Sequence, residues 1–304
     1  MDLHDITALE DRFGIAGAVS FREGPGGLPV AEITGGLAEG GIALQGAHLY
    51  RWIPAGRAPV VWLSARAKFG PGQSIRGGVP VCWPWFGPHE TDSTLPAHGF
   101  ARTTPWEVIE TGVMPDGSVR LGFRLPRNEA NLAQWPYTTP VEIRYTLGEA
   151  LAIELLTKNR GTSPIVLGEA LHTYFAVSDV REIAVDGLDG TEYLDKVDGG
   201  RRKRHTGGVR FGGEVDRVYL GTEADCLIVD PGLSRRIRIE KKGGRSTVVW
   251  NPWEEKARKM GDFAADGYLG MVCVESANAA DDALILEPGG EHRLWVRYSV
   301  ETMS

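Results

Sequence analysis

Val119-Arg-Leu-Gly-Phe-Arg-Leu125 and Val141-Glu-Ile-Arg-Tyr-Thr-Leu147 place an apolar side chain at every second position. In an extended chain that period puts the apolar residues on one face and the arginines, glutamate and threonine on the other, which is the pattern of a half-buried strand. Leu294, Val296, Tyr298 and Val300 repeat it against Arg293, Trp295 and Arg297, and shorter runs lie near 47–53, 150–157, 225–230 and 236–241. Pro115-Asp-Gly117, Gly148-Glu149, Asp186-Gly187 and Asp198-Gly-Gly200 separate the runs at short intervals, so antiparallel hairpins are expected. Only two segments read as helical: Ala8 to Phe13, and Glu129 to Trp135, where Asn128 is suited to cap the start and Pro136 ends the segment. Neither is long enough to cover a parallel sheet. The expected fold is all-β, a large antiparallel sandwich of about twenty strands with a few short helices. No repeat, linker or composition break divides the chain, and residues 1–304 are expected to form a single domain.

Composition agrees with this class. The 304 residues include 40 glycines and 18 prolines, which favour many turns over long helices. A formal net charge of −7 argues against a general nucleic-acid or membrane-surface binder, because phosphate backbones and anionic lipids repel such a surface. Met1 to Gly14 carries Asp2, Asp5, Glu10 and Asp11 without a basic start or an apolar core, unlike a secretory leader, and no apolar run is long enough to span a bilayer. Cys82, Cys226 and Cys273 are odd in number and set among apolar neighbours, as expected of reduced thiols in a core. A cytoplasmic protein is the expectation.

The chemistry-bearing residues concentrate in Ile75-Arg-Gly-Gly-Val-Pro-Val-Cys-Trp-Pro-Trp-Phe-Gly87 and Leu95-Pro-Ala-His-Gly-Phe-Ala-Arg102. Glycines allow close backbone approach, Trp83, Trp85 and Phe86 offer apolar faces to a sugar ring, and Arg76 and Arg102 can hold an anion. A packed structural loop is the competing reading. The nucleophile elbow, phosphate loop, dinucleotide fingerprint and zinc motifs are all missing, so nucleotide-dependent chemistry and structural zinc are not expected. A metal site would have to be assembled from scattered positions such as His89, His98 and His172, and none is expected. His172 lies on or just after an apolar strand beginning near Ile165, where a satisfied core or rim histidine is the ordinary case. Glu275 ends the apolar run Tyr268-Leu-Gly-Met-Val-Cys-Val-Glu, where a carboxylate needs compensation, either by a hydrogen bond or by work as a general base. Arg201-Arg-Lys-Arg-His205 is read as a solvated hairpin tip, and Asp216 is suited to accept hydrogen bonds from sugar hydroxyls.

Taken in order, the Ile75–Gly87 and Leu95–Arg102 segments with Leu171-His-Thr-Tyr-Phe175, Asp216-Arg-Val-Tyr219, Val249-Trp-Asn-Pro-Trp253 and Val272-Cys-Val-Glu275 resemble the hexose-6-phosphate mutarotases, or glucose-6-phosphate 1-epimerases. These are cofactor-free isomerases of the aldose 1-epimerase superfamily with a galactose-mutarotase-like β-supersandwich. The resemblance runs from about Leu44 to Tyr298. It implies His172 as catalytic acid, Glu275 as catalytic base, Arg76, Arg102 and Asp216 as substrate-binding residues, and His98 as a second active-site histidine. Lys68 and Arg66 are secondary candidates for phosphate contact. One departure stands out: some members carry glutamine before the His-Gly pair, where this chain has Ala97.

The expected partner is a phosphorylated hexose, bound by a monomer that engages no nucleic acid and no membrane. In the implied reaction Glu275 removes the proton of the anomeric hydroxyl while His172, as imidazolium, protonates the ring oxygen. Two other classes stay open: a free-hexose mutarotase, which has less use for Arg76 and Arg102, and a non-catalytic carbohydrate-binding module, which needs no opposed acid and base.

Overall fold

The computed structural model describes residues 5–303; Met1 to His4, the start of the segment that lacks a leader's layout, and Ser304 lie outside the described residues. Val119–Arg124 and Val141–Leu147 pair antiparallel with Phe123 opposite Ile143 and Leu121 opposite Tyr145, so the apolar halves of both alternations share one face. They belong to an eight-stranded sheet ordered Ala184–Asp186, Cys226–Asp230, Arg235–Lys242, Glu291–Thr302, Ala150–Lys158, Val141–Leu147, Val119–Arg124 and Glu107–Val113. A second eight-stranded sheet runs Arg201–Arg204, Glu192–Asp195, Val215–Tyr219, Ser246–Asn251, Met271–Asn278, Glu169–Leu171 and Val81–Cys82, with Tyr174–Ala176 also paired to Met271–Asn278. A four-stranded meander from Val19 to Pro54 and the small pair Ile165–Leu167 with Leu284–Leu286 complete the β structure. All the strand pairings are antiparallel, as the alternation implies, and the described residues contain 22 strands and three α-helices.

The two large sheets bury a common core. Phe175 of one meets Tyr298 of the other edge to face with ring centroids 5.0 Å apart, and the Tyr298 hydroxyl lies 2.7 Å from Thr173 Oγ1. Trp83 Nε1–H donates to Thr157 Oγ1 across the same interface at 3.1 Å. Burying each such ring stabilises the fold by about 1.5–3 kcal/mol relative to exposure, and the polar tips are satisfied as burial requires. Trp83 is therefore a core residue at 1% exposure, which corrects its reading as a face for sugar; only Trp85 and Phe86 remain partly exposed.

Helix Ile6–Phe13 is capped by Asp5, and Glu129–Gln134 by Asn128, whose side chain accepts from the Asn131 N–H. A third helix, Trp253–Lys259, is not visible in the sequence pattern, because among its residues only Ala257 is buried. The basic run is also corrected. Arg201–Arg204 is an edge strand, not a hairpin tip, and Arg202 and Lys203 pair with Glu192 and Asp195 of the neighbouring strand at 2.7 and 2.8 Å. Charged side chains along such an edge discourage further strand pairing. The three cysteines are free and buried. Among the described residues no helix is long and apolar enough to cross a membrane.

The segment from Trp83 to Arg102 is fixed by backbone contacts. His98 (φ 66°) and Gly99 (φ 70°) are consecutive left-handed residues, and the His98 N–H donates to the Gly87 carbonyl at 2.7 Å. A Cβ on Gly99 would run into the backbone carbonyl of Trp83. Gly99→Ala is thus expected to destabilise the fold by at least about 2 kcal/mol, through strain and clash together, read as a lower midpoint in urea unfolding.

Candidate active site

Register across the second sheet builds the site. Asp216 stands opposite Trp250, Trp250 opposite Cys273, and Cys273 opposite Tyr174, so four side chains from four strands form one row. Their neighbours Val215, Val249, Val272 and Val274 point into the inter-sheet core, which leaves the row on the sheet's outer face. Glu275, two residues beyond Cys273, shares that face. It stands in the middle of Met271–Asn278 and not at its end, because the strand continues through Ser276, Ala277 and Asn278. His172 follows strand Glu169–Leu171 directly, and its ring stacks on Tyr174 with centroids 4.9 Å apart and planes 10° from parallel.

His172 Nε2 and Glu275 Oε1 are 3.4 Å apart. Burial pushes the Glu275 carboxyl well above its ordinary range, and the nearby Asp216 charge adds to the effect. Burial likewise holds His172 well below the ordinary imidazole value, helped by His98, Arg102 and Arg76. Burial thus favours the neutral form of both groups. The imidazolium expected from the sequence is not the form that burial favours.

His98 lies beside His172 with ring centroids 5.9 Å apart, and burial holds its pKa down to about 3, so it is neutral too. Its Nδ1 accepts from the Gly87 N–H at 3.3 Å, which assigns the proton of the neutral ring to Nε2. Arg76 Nε donates to Asp262 Oδ1 at 3.2 Å and its Nη1 to the Tyr174 hydroxyl at 2.9 Å, leaving Nη2 unengaged among the described residues. Arg102 Nη2 donates to the Ala97 carbonyl at 2.8 Å. Asp216 Oδ2 lies 3.7 Å from Lys256 Nζ, which also binds Glu214 at 2.7 Å. Burial raises the Asp216 pKa, and Lys256 works against that rise.

Arg76, His98, Arg102, His172, Asp216 and Glu275 thus share one neighbourhood: Arg76 and Arg102 act electrostatically on His172, His98 packs beside it, and Asp216 acts on Glu275. Lys68 Nζ stands near Gly261, next to Asp262, whereas the Arg66 side chain makes no hydrogen bond or ion pair among the described residues. His89 instead packs against Trp85 with centroids 4.7 Å apart, so the trio His89, His98 and His172 is not assembled as one cluster. The sequence pattern assigns no site role to Tyr174, Asp262, Lys256 or Cys273, the last being read only as a reduced core thiol. The only available signal was Tyr174 and Cys273 falling inside motif segments.

The family model for aldose 1-epimerase matches residues 31–299. A protein of Escherichia coli K12 named "Putative glucose-6-phosphate 1-epimerase" is 39% identical over 252 residues, covering 83% of each chain. One of the same name from Cenchrus ciliaris is 35% identical over 83% of this chain and 78% of its own. A crystal structure described as a "putative mutarotase (YeaD)" from Salmonella typhimurium superposes with a TM-score of 0.89 at 34% identity, covering 95% of this chain and 96% of that one. A galactose mutarotase-like protein from Lactobacillus casei shares the fold at a TM-score of 0.70 and 16% identity, over 90% of this chain and 100% of its own. The supersandwich and the matched sequence agree: this chain belongs to the aldose 1-epimerase family.

Proposed function

We propose that the chain is a hexose-6-phosphate mutarotase, which interconverts the α and β anomers of glucose 6-phosphate and related sugars. The apposition of His172 and Glu275 beside two arginines carries this reading. Ring opening needs the anomeric hydroxyl proton removed by Glu275 while His172 protonates the ring oxygen as its bond to carbon 1 breaks. Rotation about the bond between carbons 1 and 2, then the reverse transfers, closes the ring on the other face. Each positioned proton-transfer group typically supplies about 10²- to 10⁴-fold. Asp216 and His98 would hold hydroxyls, while Arg76 and Arg102 would clamp the phosphate with charge-assisted bonds.

The pair needs one proton in total. Before substrate binds, burial favours it on Glu275, and the reactive arrangement differs only by transfer across the 3.4 Å contact to His172. A bound phosphate helps that transfer, because it cancels the arginine charges that contribute to keeping His172 neutral. The pair gains a second proton only below the depressed His172 pKa and loses its last only above the elevated Glu275 pKa. NMR exchange between the anomers of glucose 6-phosphate is therefore expected to be catalysed, with kcat/KM, once corrected for the substrate phosphate's own ionisation at about pH 6, level through pH 6.5, where an ordinary histidine acid would bend the profile. Failure to accelerate exchange refutes the function, and a break near the ordinary histidine value refutes the shared-proton account.

A free-hexose mutarotase is the second reading. Arg76 and Arg102 are already engaged by Asp262, Tyr174 and Ala97, as they would be if their role were structural. Comparing glucose with glucose 6-phosphate separates the two.

A further inference from the structure

His172, Cys273 and Glu275 bring one nitrogen, one sulfur and one oxygen donor into a cluster whose atoms all lie within 4.8 Å of one another. Cys273 and Glu275 leave the same face of one strand as alternate residues, and His172 reaches them from the chain that follows Glu169–Leu171. The proposed proton transfers use the imidazole and the carboxyl but give the thiol no task. Two polar atoms here are also buried without partners: Glu275 Oε2, on a residue 1% exposed, and His172 Nδ1. Buried polar atoms are nearly always paired, so the unpaired second oxygen of Glu275, on a carboxylate that belongs to this cluster, points to an occupant.

The donor set defines its class. Bonds of about 2.3 Å to sulfur and about 2.0–2.2 Å to nitrogen and oxygen put the ligand atoms of a tetrahedral zinc roughly 3.3–3.8 Å apart. The His172–Glu275 contact at 3.4 Å already falls there. Magnesium and calcium prefer all-oxygen shells and more ligands, so a thiol and an imidazole select against them. We infer that His172, Cys273 and Glu275 form an inhibitory site for a thiophilic divalent cation, zinc or cadmium, with the fourth position left to water. On binding, Cys273 releases its thiol proton and Glu275 any carboxyl proton it carries, each then donating a lone pair alongside neutral His172, with no change of oxidation state. Occupation converts both proton-transfer groups into ligands and stops the reaction.

The test titrates the full chain, freed of metal and without substrate, first with Co²⁺ and then with Zn²⁺. A thiolate-to-cobalt charge-transfer band that saturates at one equivalent and is displaced by Zn²⁺ is expected. Cys273→Ser should lose the band and bind Zn²⁺ about tenfold or more weakly. A chain carrying Cys82→Ser and Cys226→Ser should keep the band, which ties it to Cys273 without substituting that residue. No band in the native chain, or a band and zinc affinity that survive Cys273→Ser, would overturn the site. In the activity arm, which rests on the proposed function, Zn²⁺ should block anomer exchange, with about tenfold more required for Cys273→Ser. Zinc binding without any anomer exchange would refute the mutarotase reading and leave the metal site standing; anomer exchange that zinc at saturation leaves untouched would refute the inhibition.

Discussion

Glu275→Gln is expected to lower anomer exchange by about 10²- to 10⁴-fold while leaving the protein at least as stable as the native chain at neutral pH. The two halves of that result have one cause. Glu275 is 1% exposed, and burial next to Asp216 raises its carboxyl pKa well above 4.5. In the unfolded chain the carboxyl ionises near its ordinary value, whereas the folded site retains the proton to higher pH. The stability that accompanies the neutral carboxyl is complete below 4.5 and declines as pH rises toward the folded-state value. Glutamine matches the neutral carboxyl in shape and cannot ionise, so the variant escapes the decline. Thermal midpoints followed from acid to neutral pH should show the native chain losing ground to the variant. Exchange behaves oppositely, since an amide accepts no proton from the anomeric hydroxyl, and His172→Asn should suffer a comparable loss. Native-like exchange in either variant would remove that residue from the reaction.

The same burial explains which parts of the molecule were legible in the sequence. Val119–Arg124, Val141–Leu147 and Glu291–Thr302 each have one face toward the core, so their apolar residues alternate and the all-β fold follows from local pattern. The site lies where that signal fails. Met271–Asn278 is buried at all positions, so alternation does not say which way Glu275 points or where the strand ends. Val81–Cys82, Glu169–Leu171 and Tyr174–Ala176 are too short to show a period, yet the first pairs with the second, which leads directly into His172, and the third supplies its stacking partner. His172 and Glu275 were separable from ordinary buried polar residues only through the resemblance. Long-range register brings Asp216, Trp250, Cys273 and Tyr174 into one row, and no local pattern encodes it. Lys256 and Asp262 reach Asp216 and Arg76 from the helix and turn that follow Asn251. The resting protonation of the pair is not legible in the sequence for the same reason, because burial is a tertiary property.

Arg76→Ala is expected to raise KM for glucose 6-phosphate by about 10- to 150-fold, equivalent to about 1.5–3 kcal/mol for hydrogen bonds to a charged group, with little change for free glucose. Arg76 is held before any ligand arrives: Nε on Asp262 at 3.2 Å, Nη1 on Tyr174 at 2.9 Å, with the side chain 24% exposed. That leaves Nη2 unengaged among the described residues and the side chain already ordered, so little rotamer entropy is lost when a phosphate binds. Since Tyr174 also stacks on His172, the arginine and the proposed acid are braced by one ring. Two consequences distinguish a phosphate clamp from a structural brace. Arg76→Lys should recover only part of the affinity, because an ammonium restores charge but not the planar fork that meets Asp262, Tyr174 and an anion together. Added salt should weaken glucose 6-phosphate binding more in the native chain than in Arg76→Ala, since the lost contact is the screened one. A structural brace predicts the reverse: Arg76→Ala would disturb Tyr174 and His172 for every sugar, and glucose would lose as much as glucose 6-phosphate. Equal losses would leave the acid and base in place, remove the basis for a phosphate pocket, and shift the function to free hexoses.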